Sequence, residues 1–138
     1  MNEERQFDFW LGAWQADWDA GSGTNIVEST FGGKVIRETF SGRPGIEFDG
    51  MSVSVYDRAD NVWKQTWVDS DGNYLDFVGT FADGVMDLRR TALRDGRANT
   101  FRMRWYDIET DRFQWKWERS EDDSSWETMW AISYTRSL

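Results

Sequence analysis

The 138 residues include no cysteine and no histidine, and these two absences remove more chemistry than any motif adds. Without Cys there is no disulfide, no thiolate nucleophile and no zinc–thiolate site. Without His there is no imidazole ligand for haem or zinc and no histidine general base. A Ser–His–Asp triad and a two-histidine facial triad are both impossible. Any catalysis must run on carboxylates, Tyr, Lys or Arg, and the expectation is of no metal and no cofactor. Proline is scarce as well, with Pro44 alone. No linker or low-complexity run divides the chain, so residues 1–138 read as one domain. No apolar run approaches the ~20 residues that a membrane span needs. The opening "MNEERQFDF" lacks the basic start and apolar stretch of a signal peptide. A soluble cytoplasmic protein is the expectation. Positive charge is the last shortage: 25 acids against 16 bases leave a net charge of −9. That field repels nucleic acid and anionic membranes, and no basic stripe offsets it.

What the chain has is aromatic side chains, with ten Trp and nine Phe, set in a period of two. In "TFRMRWYD" (100–107), Phe101, Met103 and Trp105 oppose Arg102 and Arg104. In "RFQWKWER" (112–119), Phe113, Trp115 and Trp117 oppose Gln114, Lys116 and Glu118. Alternation of this kind marks strands. It predicts ten: 14–20, 23–30, 34–40, 50–57, 62–69, 73–81, 85–93, 97–107, 112–119 and 125–136. Turn pairs separate several of them, namely Gly32-Gly33, Asp71-Gly72, Asp83-Gly84 and Asp95-Gly96. Asp-Gly between alternating runs is a strong hairpin signal, because a type I′ turn needs positive φ at both central residues. No long pattern of period 3.6 competes. The fold class is all-β, a single antiparallel up-and-down barrel of about ten strands, since closure removes the unpaired edges.

Two segments run parallel fifty residues apart, "YDRADNVWKQTW" from Tyr56 and "YDIETDRFQWKW" from Tyr106. Each has Tyr-Asp, a four-residue turn ending in Asn61 or Asp111, then aromatics at matching offsets. Asn and Asp tolerate the left-handed conformation expected at that last turn position. Convergent hairpin chemistry is a simpler reading of the likeness than internal duplication.

Hairpin arithmetic sorts the strands into two faces. Pairing Tyr56 with Trp63, Ser70 with Asn73 and Ala82 with Val85 gives an apolar face of Met51, Val53, Val55, Val68, Leu75, Phe77, Phe81, Met86, Leu88, Phe101, Met103 and Trp105. This face is expected to be core. The opposite face mixes Ser52, Ser54, Tyr56, Trp63, Gln65, Trp67, Asp69, Tyr74, Asp76 and Arg104. Continuing the count over a Tyr106–Phe113 turn sends Lys116 and Glu118 into the core, so a bulge is expected between residues 97 and 113. If the mixed face points outward, its Trp and Tyr make a homodimer interface. If it turns inward, it lines a ligand cavity, for which a ten-stranded barrel leaves room.

The opening "FDFWLGAW" (7–14) concentrates bulky rings before the first strand. Phe7, Phe9, Leu11 and Trp14 read as a plug sealing one barrel end, since large aromatics dominate cores. The Gly12-Ala13-Trp14 start resembles that of calycins, the lipocalin and fatty-acid-binding-protein group. In that group the Trp closes one end and a basic residue of the last strand packs across its ring. Here the resemblance implies Arg136, in "AISYTRSL", for that role. The run of "FDFWLGAW", "GMSVSVYD", "VWKQTWVDSDGNYLDFVGTFADG" and "WERSEDDSSWETMW" also resembles a bacterial calycin-like family known only as a domain of unknown function. The likeness spans Phe7 to Arg136 and supplies a barrel but no reaction. Asn61 stands where that family tends to place Gly.

The leading functional expectation is a binding protein for a small, largely apolar or carboxylate-bearing ligand held in the lumen. Tyr56, Trp67, Trp115 and Trp117 would form walls, Gln65 an orienting hydrogen bond, and Arg90 an anion anchor. The alternatives are an enzyme using Asp69 or Asp76 with Tyr56, and a solid barrel that acts only by homo-association. The acidic "ERSEDD" (118–123) lacks the Gly and ligand spacing of a calcium loop and reads as a solvated hairpin tip.

Overall fold

Alternation sets the strands, and closure sets the shape. A computed structural model describes residues 2–137. Two 3-10 turns, Glu3–Arg5 and Asp8–Trp10, lead into ten strands: β1 (Gly12–Trp18), β2 (Gly21–Thr30), β3 (Val35–Ser41), β4 (Asp49–Asp57), β5 (Val62–Asp69), β6 (Tyr74–Ala82), β7 (Val85–Arg94), β8 (Arg97–Tyr106), β9 (Arg112–Ser120) and β10 (Glu127–Arg136). Each pairs antiparallel with the next, and β10 pairs with β1, so the sheet is a closed antiparallel barrel. Closure leaves no row of unpaired backbone groups at an edge.

The hairpins decide which side chains point inward. Asp83-Gly84 and Asp95-Gly96 have positive φ at both residues, as a two-residue turn needs to follow strand twist. Asn61 is also left-handed, with φ 55°, and Tyr56 faces Trp63 across its turn. Two other hairpins depart from the predicted register by one residue. At Asp71-Gly72 only the glycine has positive φ. The Asp69 carboxylate accepts from the backbone N–H of Asp71 and Asn73, which widens the loop, so Val68 faces Tyr74 and Trp67 faces Leu75. In the second, Asp107 rather than Asp111 is left-handed, and Tyr106 faces Gln114 instead of Phe113.

A slip of one residue exchanges the two faces of a strand. The first slip therefore brings the polar–aromatic half of β4 and β5 to the inside, together with the apolar half of β6, β7 and β8. Ser52, Ser54, Trp63 and Gln65 are buried, as are Phe77, Met86, Leu88, Phe101, Met103 and Trp105. Met51, Val53 and Val55, expected in the core, are instead exposed on the outer face. The second slip restores Trp115 and Trp117 to the inside opposite Trp105 and Met103. The bulge predicted between residues 97 and 113 is absent: β8 pairs in continuous register on both sides, and the extra residue sits in the loop after Tyr106. The bulge that does occur lies in β10, between Thr128 and Trp130.

One barrel end is filled by the N-terminal segment. Phe7 stacks on Trp10 at 4.6 Å and meets Trp63 and Trp105 edge-on at 5.3 and 5.1 Å. Trp14, 1% exposed, donates its indole N–H to the Trp10 carbonyl at 2.8 Å and meets Phe113 edge-on. Arg136 closes the seam. Its Cζ lies 4.2 Å from the Trp14 ring centroid, an arrangement that adds cation–π attraction to packing. Its guanidinium donates to the carbonyls of Leu11 and Thr110. Gly12, at φ 130°, has no space for a Cβ beneath that guanidinium. Phe9 packs on Phe7, Phe81 and Phe113.

Candidate functional site: an aromatic cavity with one buried carboxyl group

Toward the other end the interior is not filled. Strand direction puts the start of β4 and the ends of β3 and β5 at this mouth, together with the segment 42–48 and the loop after Asp69. A cavity of about 200 Å³ opens here, walled by Phe40, Phe48, Trp67, Trp115, Trp117 and Trp130, with Trp10 and Trp105 from the plugged side as its floor. The walls are held in place by local chemistry. Trp67 donates its indole N–H to Asp69 at 2.7 Å, and its ring lies against Gly50, where a Cβ would collide with it. Phe48 folds over the mouth, 6.3 Å from both Trp67 and Trp130. The Gly42 N–H bonded to the Phe48 carbonyl at 2.7 Å closes the loop that carries it.

The polar groups are few. Glu38 on β3 shares the inward column with Ile36 and Phe40, and is 7% exposed. One carboxyl oxygen accepts from the Ser52 hydroxyl at 2.7 Å and the other from the Asn25 amide at 2.8 Å. Burial pushes its pKa up to about 7, against the pull of those two donors. Tyr134, also lining the cavity, is raised first by burial and then by the Glu38 charge. At the mouth, Asp69 is partly desolvated, but donors from Trp67, Asn73 and the loop backbone outweigh that effect and hold its carboxyl below the usual range. Some interior groups have no partner: the Trp10 indole N–H, the Asn25 and Gln65 amide oxygens, and Arg90 Nε.

Of the six residues singled out as ligand contacts, Trp67, Trp115 and Trp117 line the cavity. The other three do not. Tyr56 points inward at the plugged end, against Trp63. Gln65 donates its amide N–H to the Ser54 hydroxyl at 3.0 Å and is not part of the lining. Arg90 faces inward opposite Phe101 but is outside the cavity wall, so it anchors no anion there. The Asp69–Asp76–Tyr56 set is not assembled either. Asp76 is on the outer face, accepting from Thr66 at 2.7 Å, because the first register slip separated it from Asp69. The outward Trp belt is likewise overturned, since Trp63 and Trp67 are inside and Tyr74 alone of that group is well exposed, at 67%.

Glu38 and its donor Asn25 escaped the sequence reading, which puts Ser52 on the mixed face but gives it no role. The signal was available: "IRETF" puts an acid between Ile36 and Phe40 in one alternating column, just as Arg90 follows Met86 and Leu88 in an apolar column of β7. The acidic stretch 118–123 is a tip only in its second half. Glu118, Arg119 and Ser120 end β9, with Glu118 buried and accepting from Arg102 Nε at 2.7 Å. Residues 121–123 form an exposed, capped tip. Asp122 accepts from the backbone N–H of Ser125 and Ser124 and from Ser120 Oγ, which lowers its pKa to about 2. Among the described residues no cluster of three or more Asp or Glu is placed to hold a metal ion, and no helix is long and apolar enough to cross a membrane.

No protein-family model matches the chain, and no curated protein is similar to it at a significant level.

Proposed function

We propose that the protein is a cytoplasmic binding protein that holds one small, largely apolar molecule in its lumen, and that its barrel is of calycin type. The observation that carries this reading is the cavity itself. Lumen space walled by aromatic rings with a few fixed polar groups is the usual form of a small-molecule site. Its volume sets the scale, since an apolar cavity of roughly 150 Å³ is enough for benzene. Native mass spectrometry of protein purified without denaturation tests the reading: a ligand mass that leaves on mild activation is expected. A mass equal to the bare chain, together with unchanged Trp fluorescence against small aromatic probes, would refute it.

Acid–base chemistry has one observation in its favour, a carboxyl group poised near neutrality in a cleft beside a phenol. Turnover abolished by Glu38→Gln, with ligand still bound, would favour that second reading. Homodimerisation is supported by a different surface from the predicted one. Met51, Val53 and Val55 stand exposed on β4, and Tyr74 and Val78 continue the apolar stripe two strands away. Val53→Lys should turn a dimer into a monomer in light scattering after gel filtration.

A further inference from the structure

The charge around the cavity says more than its shape. Among the residues lining it, the ionisable side chains are Glu38, Asp69 and Tyr134. Arg and Lys are missing from that set. Arg90 and Arg119 share inward columns on β7 and β9 but lie outside the lining, and Arg119 is paired with Glu127 at 3.0 Å. Around Glu38 itself the neighbours from β2 and β4 are the uncharged Asn25 and Ser52, and Tyr134 faces it from β10. Each Glu38 oxygen accepts one hydrogen bond from the protein, and a carboxylate oxygen has room for a second. The remaining walls are π faces: Trp10, Trp67, Trp105, Trp115, Trp117 and Trp130 all border the same space.

On the reading of the lumen as a binding site, we infer that its ligand is a small organic cation, a protonated amine or quaternary ammonium on a compact apolar body, seated in the aromatic walls with its charge toward Glu38. Aromatic faces attract cations, most strongly where water is excluded, and a buried carboxylate without a countercharge lacks the partner that buried ions ordinarily have. An anion finds the opposite. No Arg or Lys borders the space to hold it, and the Glu38 and Asp69 carboxylates would repel it. This replaces the carboxylate-bearing ligand expected from Arg90.

The test uses three isosteres of a size suited to the cavity, phenethylammonium, 2-phenylethanol and phenylacetate, titrated against the whole protein by calorimetry and Trp fluorescence. Phenethylammonium should bind at least ten-fold tighter than the alcohol, and phenylacetate weakest. Its affinity should rise with pH up to about 7, as the Glu38 proton is displaced, and level off above, while that of the alcohol stays flat. Glu38→Gln keeps the shape and should lose ten-fold or more for the cation and little for the alcohol. Should Glu38→Gln fail to fold, the pH profile of the unaltered protein carries the same information. Equal or better binding of the alcohol or the anion would overturn the cation assignment and leave lumen binding standing. Binding of none of the three would overturn both.

Discussion

The two ends of the barrel use the same residue types and reach opposite results. At the plugged end Phe7, Trp10, Trp63 and Trp105 meet with centroids 4.6 to 5.3 Å apart. At the mouth Phe40, Phe48, Trp67, Trp115 and Trp130 are spaced 5.8 to 6.5 Å apart, around a void. The difference lies in the filler. Ten strands enclose more space than their own side chains occupy. The N-terminal segment supplies three extra rings, Phe7, Phe9 and Trp10, to one end, and nothing comparable enters the other. An aromatic residue is therefore core or wall according to which end its strand position assigns it.

The largest expected effect would break this comparison outright. Phe7→Ala removes a fully buried ring that touches four others, and should cost about 3–5 kcal/mol in urea unfolding. Phe48→Ala should cost much less, about 1 kcal/mol, and should speed ligand exit. Equal costs would mean that the ends do not differ.

Next in size is a pH effect that belongs to the mouth half alone. The Glu38 carboxyl ionises near 4.5 in an unfolded chain and near 7 in the fold. Between those values the folded protein keeps a proton that the unfolded chain has lost. Stability should therefore fall as pH rises from 4.5 to 7, by roughly 3 kcal/mol in all, and this contribution should be flat above 7. Denaturant titrations of Glu38→Gln should lack that decline.

Smaller again, Arg136→Ala should cost about 2 kcal/mol, since the Leu11 and Thr110 carbonyls lose a charged donor and Trp14 loses its cover. A melt unchanged by this substitution would show that the plug holds without its seam.

How much was legible follows from the range of the interactions involved. All ten strands end within two residues of their predicted limits, because alternation and Asp-Gly chemistry are local. The inward faces of β6 to β8 and the plug were also readable, since runs of large apolar side chains admit one placement. The inward face of β4 and β5 was assigned wrongly. Nothing in "VDSDGNY" distinguishes a two-residue turn at Asp71-Gly72 from a wider loop until the Asp69 carboxylate is seen collecting the N–H groups of Asp71 and Asn73. Arg90 was overvalued and Glu38 missed for one reason: a charged residue in an apolar column can be recognised along the strand, but whether it meets a void depends on strands far away in the chain.

Composition and period by themselves determined that this chain makes an all-β barrel without thiol or imidazole chemistry, with its first aromatics as a stopper, because pleat and turn preferences act between near neighbours. Only the tertiary structure decided which half stays hollow, which tryptophans border it and that Glu38 is the acid within, because those outcomes depend on a one-residue register and on how much volume the closed sheet leaves over.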